Sequence, residues 1–317
     1  MNILVTGATG FIGRHLVEEL SKSHANIFCL VRKASNTKIL EPYGVKFIYA
    51  DITEFDSLFK NINEKIDVIF HCAGYVLNDN IDALHKVNVR GTENICRLAL
   101  KLAVERVIYL SSVSVVSGNP HIPLVEDLPF VATNIYAESK IEAEKVVLEY
   151  RKKGLEVVIL RPCMVYGEDE PHLLKRMLHL LKYRLLPLVN KGESKFHLVY
   201  VKNVVDAMIF SLRNDEFLKG TFFVADRDVL TTKEVMNIMA SAISARPPYE
   251  ISRRFTPFLL AFPYAGRRLK FFLKDRVYSQ EKITATGFRH SYPIKESLAT
   301  SCRCLFNSKK ARLNIKI

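Results

Sequence analysis

Apolar residues along this chain fall into two patterns. Some form short unbroken runs, and others recur every three or four residues between those runs. Ile3, Leu4 and Val5 open the first run, with no charge among them. Such a run fits a strand covered on both faces, as in a parallel sheet. Comparable runs predict strands at 26–31, 46–49, 67–71, 106–111 and 156–160. Helical spacing predicts helices over 11–22, 54–60, 81–103 and 134–153. Strand and helix alternate, so the sheet should be parallel and doubly wound, with right-handed crossovers. Beyond residue 170 the alternation weakens. A helix is expected over 171–190, ending near Pro187, then a strand at 196–201 and a helix at 204–212. Residues 221–225 read as a late strand returning to the sheet.

The join between the first strand and the first helix carries the strongest chemical signal. It reads Thr6-Gly-Ala-Thr-Gly-Phe-Ile-Gly13, with glycines at 7, 10 and 13. Gly7 permits a tight turn, Gly10 lets backbone approach a pyrophosphate, and Gly13 lets the helix sit close on the strand. The phosphates would meet free N–H groups and the positive end of the helix dipole. This is the pattern of a dinucleotide-binding Rossmann fold. The second strand ends in Leu30-Val31-Arg32-Lys33, with two cations where an acid would hold the ribose of NAD. Arg32 is placed to take a 2′-phosphate, which favours NADP. A plain surface Arg-Lys pair is the alternative. Asp51 and Ile52 follow the third strand, beside the place of the adenine, and Ala73 and Gly74 follow the fourth. Small residues there let backbone approach the cofactor.

These motifs resemble the extended short-chain dehydrogenase/reductases of the NAD(P)-dependent epimerase/dehydratase family. The likeness continues through His71-Cys-Ala-Gly74, Asn88-Val-Arg-Gly-Thr92, Ser111-Ser112, Tyr136-Ala-Glu-Ser-Lys140 and Arg161-Pro-Cys-Met-Val-Tyr-Gly167. The form of the last motif is closest to the dihydroflavonol reductase and 3β-hydroxysteroid dehydrogenase branches. The resemblance implies a nucleotide-binding domain over 1–170 and a mainly substrate-binding or lid region over 171–317. It implies cofactor contacts from Gly7, Thr9, Gly10, Phe11, Ile12, Gly13, Arg32, Asp51, Ile52, Ala73, Gly74, Tyr136, Lys140 and Pro162. A homodimer through the helices at 81–103 and 134–153 is also implied. Nucleotide-sugar enzymes of the family tend to carry Asn where this chain has Met164.

Tyr136 and Lys140 stand four apart in a helical stretch, so they share one face. A free phenol has a pKa near ~10 and is a poor base at neutral pH. A neighbouring ammonium and the charge of an oxidised nicotinamide favour the phenolate. Tyr136 can then exchange a proton with a substrate oxygen while hydride moves at the cofactor. Aligned with the family, Ser112 is the serine that holds the reacting carbonyl, and Ser111 and Ser114 shape the turn. Asn88 is either a site residue or an ordinary helix polar group. The resulting expectation is a reductase or dehydrogenase acting on a small carbonyl or alcohol substrate. A nucleotide-sugar epimerase with tightly held NAD and a non-catalytic NADP-binding protein are the alternatives.

Composition adds bounds. The 46 Lys and Arg against 33 Asp and Glu give a net charge of +13. No nucleic-acid motif accompanies it, so a solvated basic surface is expected and nucleic acid is not. The six cysteines are scattered, which suits the reduced thiols of a cytoplasmic protein, and no zinc spacing suggests a metal. No run reaches the ~18 apolar residues of a membrane span. Met1 leads straight into the first strand, so no signal peptide is expected. Residues 255–265 are apolar and flanked by Arg253, Arg254, Arg267, Arg268, Lys270 and Lys274. The stretch 251–276 reads as a lid helix with basic ends or as a peripheral membrane contact. The tail at 308–312 reads as disordered.

Overall fold

The computed structural model describes residues 1–171, 173–218, 220–251 and 273–308. Seven parallel strands form the main sheet: β1 (Asn2–Thr6), β2 (Asn26–Val31), β3 (Lys46–Tyr49), β4 (Val68–His71), β5 (Arg106–Leu110), β6 (Val157–Pro162) and a late strand, Thr221–Val224. Their order is late strand-β6-β5-β4-β1-β2-β3. The chain winds outward from β1 on one side and, after crossing to β4, outward on the other. The crevice between β1 and β4 is therefore the switch point where ligands of such sheets bind.

Alternate residues of each strand face opposite layers. Ile3, Val5, Cys29 and Phe70 face α1 (Phe11–Leu20) and a later helix, Val201–Arg213. Leu4, Phe28, Ile69 and Tyr109 face α2 (Phe55–Asn61), α4 (Gly91–Lys101) and α5 (Ile135–Lys152). Both faces are buried, which is why the strands carry unbroken apolar runs. The residues ahead of α4 are helical but not uniform. A short α3 (Ile81–Leu84) runs into a wider π-turn at His85–Arg90 before α4 begins. The outward row of α5 is charged, with Glu138, Glu142, Lys145 and Glu149 all exposed.

The sheet strands fall where the apolar runs predict them, within two residues. The region after 170 differs more. The helix expected to reach Pro187 is α6 (Leu173–Lys182) and stops five residues short. Arg184 adopts the left-handed conformation at φ 58°. Leu185 N–H donates to Leu180 O and Arg184 N–H to Leu181 O, a Schellman closure without glycine. The strand expected at 196–201 is two pieces, Lys195–Phe196 and Leu198–Tyr200, broken at His197. Each pairs with a different partner, Leu230–Thr231 and Met164–Tyr166 respectively. Helix Val201–Arg213 begins earlier than the 204 expected and packs on the main sheet beside α1. A separate core joins α6, Thr232–Ala242 and Ile294–Asn307 into a C-terminal lobe. Asp226 ties the two halves: it accepts from Tyr166 Oη at 3.0 Å, Tyr200 N at 3.0 Å and Asn203 Nδ2 at 2.8 Å. The expectations for 255–265 and for the tail beyond Ser308 lie outside the described residues, as does most of 251–276.

One buried ion pair anchors α5 to the sheet. Arg161 on β6 reaches Glu144 on α5 through both Nε and Nη2. Glu144 is wholly buried and Arg161 nearly so. Ser111 Oγ donates to the same carboxylate at 2.6 Å, and Arg161 Nη1 donates to Glu126 O at 2.7 Å. Removing one partner leaves the other charge buried alone. Glu144→Ala should therefore lower unfolding stability by about 3–5 kcal/mol in a urea titration at neutral pH. A loss under ~1 kcal/mol, the size typical of exposed pairs, would show that the pair does not anchor the helix.

Candidate active site

The glycine turn is built by backbone contact. Gly7 has φ +67°, and a Cβ there would lie 2.6 Å from Ala73 N. A Cβ on Gly13 would lie 2.1 Å from Gly7 O, so α1 seats directly on the turn. Gly10 is the N-cap of α1, and the first turn carries no side-chain cap and no acid. Its free N–H groups and dipole end form an open anion cradle. Ala73 and Gly74, at the end of β4, close the other side. This cradle fits the pyrophosphate of a dinucleotide.

The remaining residues expected at the cofactor divide into two groups. Arg32 is exposed at the end of β2, and its backbone N–H donates to Ser35 Oγ at 3.1 Å. Asp51 is half-buried and accepts from Thr53 N at 2.9 Å. Thr9, Phe11 and Ile12 are also half-buried, on the glycine turn and the start of α1. Ile52 turns inward: it is buried, and its side chain packs where a Cβ on Gly91 would go. Pro162 is buried in β6 opposite Val224.

Tyr136, Lys140 and Ser112 come together beyond the carboxyl ends of β4 and β5. Asn134 caps α5 by accepting from Ala137 N at 2.9 Å, which places Tyr136 in the first turn. Tyr136 N–H donates to Asn78 Oδ1 at 3.1 Å. The Ser112 side chain hydrogen-bonds the phenol. Burial pushes the Tyr136 phenol above its ordinary value, and the Ser112 bond opposes that shift. One turn on, Lys140 is buried, and its Nζ donates to Tyr109 Oη and Leu110 O, each at 2.9 Å. Burial lowers its pKa to about 8, against the pull of the Glu144 carboxylate.

The structure separates the three serines. Ser111 points inward to Glu144, Ser112 faces the phenol, and Ser114 N–H closes the turn onto Ser112 Oγ at 3.2 Å. Asn88 is no ordinary helix residue. It sits buried in the π-turn, and its Nδ2 donates to Tyr75 O at 3.0 Å and Ser139 Oγ at 2.9 Å. Its Oδ1 accepts from Tyr75 N at 2.7 Å, while Ser139 Oγ donates to Tyr136 O at 2.8 Å. Asn88 thus fastens the loop after Gly74 to the helix that bears Tyr136. Asn78, Ser139 and Tyr109 were not picked out from sequence. Ser139 had a signal, because it stands three residues after Tyr136 and shares its helix face. Met164 lines a small apolar hollow in the C-terminal lobe with Leu174, Met177, Phe196 and Leu198.

Fold and site together define a dinucleotide-dependent enzyme of the short-chain dehydrogenase/reductase type. The sequence pattern of the NAD dependent epimerase/dehydratase family matches residues 3–225. UDP-glucose 4-epimerase of Vibrio cholerae is 30% identical over 264 residues, 79% of this chain and 78% of its own. The decarboxylating sterol-4-alpha-carboxylate 3-dehydrogenase of Candida albicans is 28% identical over 249 residues, 71% of this chain and 70% of its own. Among solved structures, UDP-glucose 4-epimerase of Thermotoga maritima, with UDP-glucose, superposes with a TM-score of 0.79 at 19% identity. That match covers 96% of this chain and 98% of the other. The chain belongs to the NAD dependent epimerase/dehydratase family, as an enzyme of the extended type. No helix among the described residues is long and apolar enough to cross a membrane.

The depressed Lys140 value carries a stability consequence. Its folded pKa of about 8 lies below the ordinary 10.5, so the folded protein binds fewer protons than the unfolded chain between those values. Holding the lysine charged therefore costs stability below about 8. Lys140→Met removes that cost. Its urea midpoint at pH 7 should be no lower than the parent's, and its advantage should shrink as pH rises through that window. A clearly lower midpoint at pH 7 would overturn the assignment of Lys140 as a destabilised cation.

Proposed function

We propose that this enzyme is an NADP-preferring oxidoreductase. It interconverts a secondary alcohol and a ketone, or reduces an aldehyde, with Ser112, Tyr136 and Lys140 as its catalytic group. The observation that carries this reading is a buried ammonium that bonds no carboxylate among the described residues, one helical turn from a phenol that Ser112 hydrogen-bonds. The glycine turn and the N-terminus of α1 would hold the pyrophosphate, and Arg32 the 2′-phosphate. When bound, the nicotinamide supplies or takes the hydride.

The rest of the chemistry belongs to the chain. In the reducing direction Tyr136 gives its proton to the carbonyl oxygen as that oxygen becomes an alkoxide. The phenolate left behind faces Lys140, whose charge stabilises it. Ser112 donates its hydroxyl proton to the developing oxyanion. The third N–H of Lys140 is free to meet the nicotinamide ribose. In the oxidising direction the same groups run in reverse, with the phenolate taking the alcohol proton. Met164, standing where nucleotide-sugar enzymes of the family tend to carry Asn, favours the reductase reading over a sugar nucleotide. A homodimer through α4 and α5 belongs to the same reading.

Epimerisation of a nucleotide sugar is the second reading, favoured by the name of the Vibrio cholerae relative. It would use the same three side chains and keep NAD bound throughout. The nucleotide retained by protein purified without added cofactor separates the two: retained NAD for the epimerase, exchangeable NADP for the reductase.

Tyr136→Phe keeps the ring but removes the oxygen that exchanges a proton. On a panel of ketones, aldehydes and nucleotide sugars, turnover should fall by roughly 10²–10⁴ while cofactor binding survives. Near-normal turnover in that variant would refute the mechanism. Arg32→Asp should weaken NADP binding by roughly tenfold or more and improve NAD relative to it, read by fluorescence titration. Tighter binding of NAD than NADP by the parent protein would refute the cofactor assignment.

A further inference from the structure

Lys140 has three N–H donors, and Tyr109 Oη and Leu110 O take two of them, each at 2.9 Å. Tyr109 is 1% exposed. Its oxygen accepts from Lys140, and the Thr92 hydroxyl lies beside it. Thr92 Oγ1 sends its proton to Asn88 O at 2.5 Å. The Thr92 oxygen is thereby left only to accept, and it faces His71 Nε2 at 3.1 Å. This accounting makes His71 the Nε2–H tautomer. His71 Nδ1 then accepts from Thr6 Oγ1 at 2.7 Å, and Thr6 Oγ1 accepts from Ala73 N at 3.2 Å. Burial holds His71 neutral, its pKa lowered to about 3. The His71 ring stacks on the Tyr109 ring at 5.6 Å and 26°. Each proton from Thr6 through His71 to Thr92 has one available direction, and this buried string ends on Asn88 O.

We propose that Tyr109 is a positioning residue for the reaction: its oxygen, on a ring stacked against His71, fixes the ammonium and keeps it charged. The inference rests on the reading of Tyr136 and Lys140 as the catalytic pair. The argument is one of scarce partners. Glu144, the nearest carboxylate, has both oxygens engaged by Arg161 and Ser111. Two neutral acceptors therefore carry the charge of a buried ammonium, and an acceptor bonded to the charged form raises its pKa. The other titratable groups around Lys140 are Tyr136 and Glu144 on its own helix and His71 and Cys72 at the end of β4. None of them donates to or accepts from Nζ among the described residues. Among the described residues Tyr109 is thus the one side chain that bonds the ammonium, and its ring is held by the stacked, neutral His71.

The test is Tyr109→Phe, which keeps the ring and its stacking on His71 and removes only the oxygen. Lysines labelled with ¹³C at Cε are titrated by NMR, and the Lys140 resonance is assigned by its absence from Lys140→Met. The midpoint should fall by roughly one pH unit in Tyr109→Phe, the scale of losing one hydrogen bond to a charge. Thr92→Val, which removes the hydroxyl beside the Tyr109 oxygen and the partner of His71 Nε2, should move it the same way by less. On whichever carbonyl substrate reacts, kcat should drop more than KM rises, and its alkaline limb should move down with the NMR midpoint. Unchanged midpoints in both variants would overturn the proposal, as would a shifted midpoint with unchanged kcat and pH limb. If the midpoint shifts but no substrate in the panel supports hydride transfer, the proposed function falls while the hold of Tyr109 on Lys140 stands.

Discussion

Glu144 and Lys140 lie one turn apart on the buried face of α5, and what each pairs with decides what the site can do. A carboxylate bonded directly to the lysine would hold the ammonium near its ordinary pKa and spend its charge inside the pair. Arg161 prevents that by taking the carboxylate through a fork of N–H donors, with Ser111 filling the remaining lone pair. Lys140 is left to a phenol and a carbonyl, neither of them charged. In the proposed mechanism its field falls on Tyr136. The same interaction pins α5 to β6, so the helix that bears the chemistry is fixed to the sheet by the contact that keeps the lysine available. Structure and reactivity here rest on a single choice of partner.

Much of this could be read from the chain alone, for a physical reason. The sheet strands are buried on both faces, so their apolar runs are unbroken, and the glycine turn is defined by local backbone requirements that three residues meet. The spacing of Tyr136 and Lys140 puts them on one helix face, and the glycine turn and the motif around them single them out as candidates. What escaped were features made by distant partners. Tyr109 reads as one more apolar strand residue, and only the fold puts its oxygen on a lysine thirty-one positions away. Asn88 was undecided between two roles until the π-turn aimed it at Tyr75 and Ser139. The end of α6 was misjudged because Arg184 takes a left-handed conformation usually given to glycine. Ala103 and Ser244 do the same after two other helices, so glycine was an incomplete guide to where helices stop in this chain.

Likeness to other proteins divides along the same line. The Thermotoga maritima epimerase shares the fold over nearly the whole chain at 19% identity, and the two curated relatives differ from each other in the reaction their names state. One scaffold thus carries several chemistries, and the residues that select among them sit on its rim. In this chain that rim includes Arg32 at the end of β2 and Met164 after β6. Arg32 is exposed just past its strand, whereas Met164 opens the short strand that pairs with Leu198–Tyr200 and packs half-buried on the C-terminal core.

The π-turn at His85–Arg90 has an evolutionary reading. A π-turn arises when one residue is inserted into a regular helix, and the helix absorbs it as a local bulge instead of shifting its whole register. Deleting one residue here would restore an ordinary helix and turn everything before it by about 100°. Asn88 would then leave the loop after Gly74, although every other side chain of the site could remain. A single-codon change thus separates a helix that merely covers the sheet from one that grips the active-site loop. Lineages that share this fold could gain or lose that grip in one step, without passing through an unfolded intermediate form.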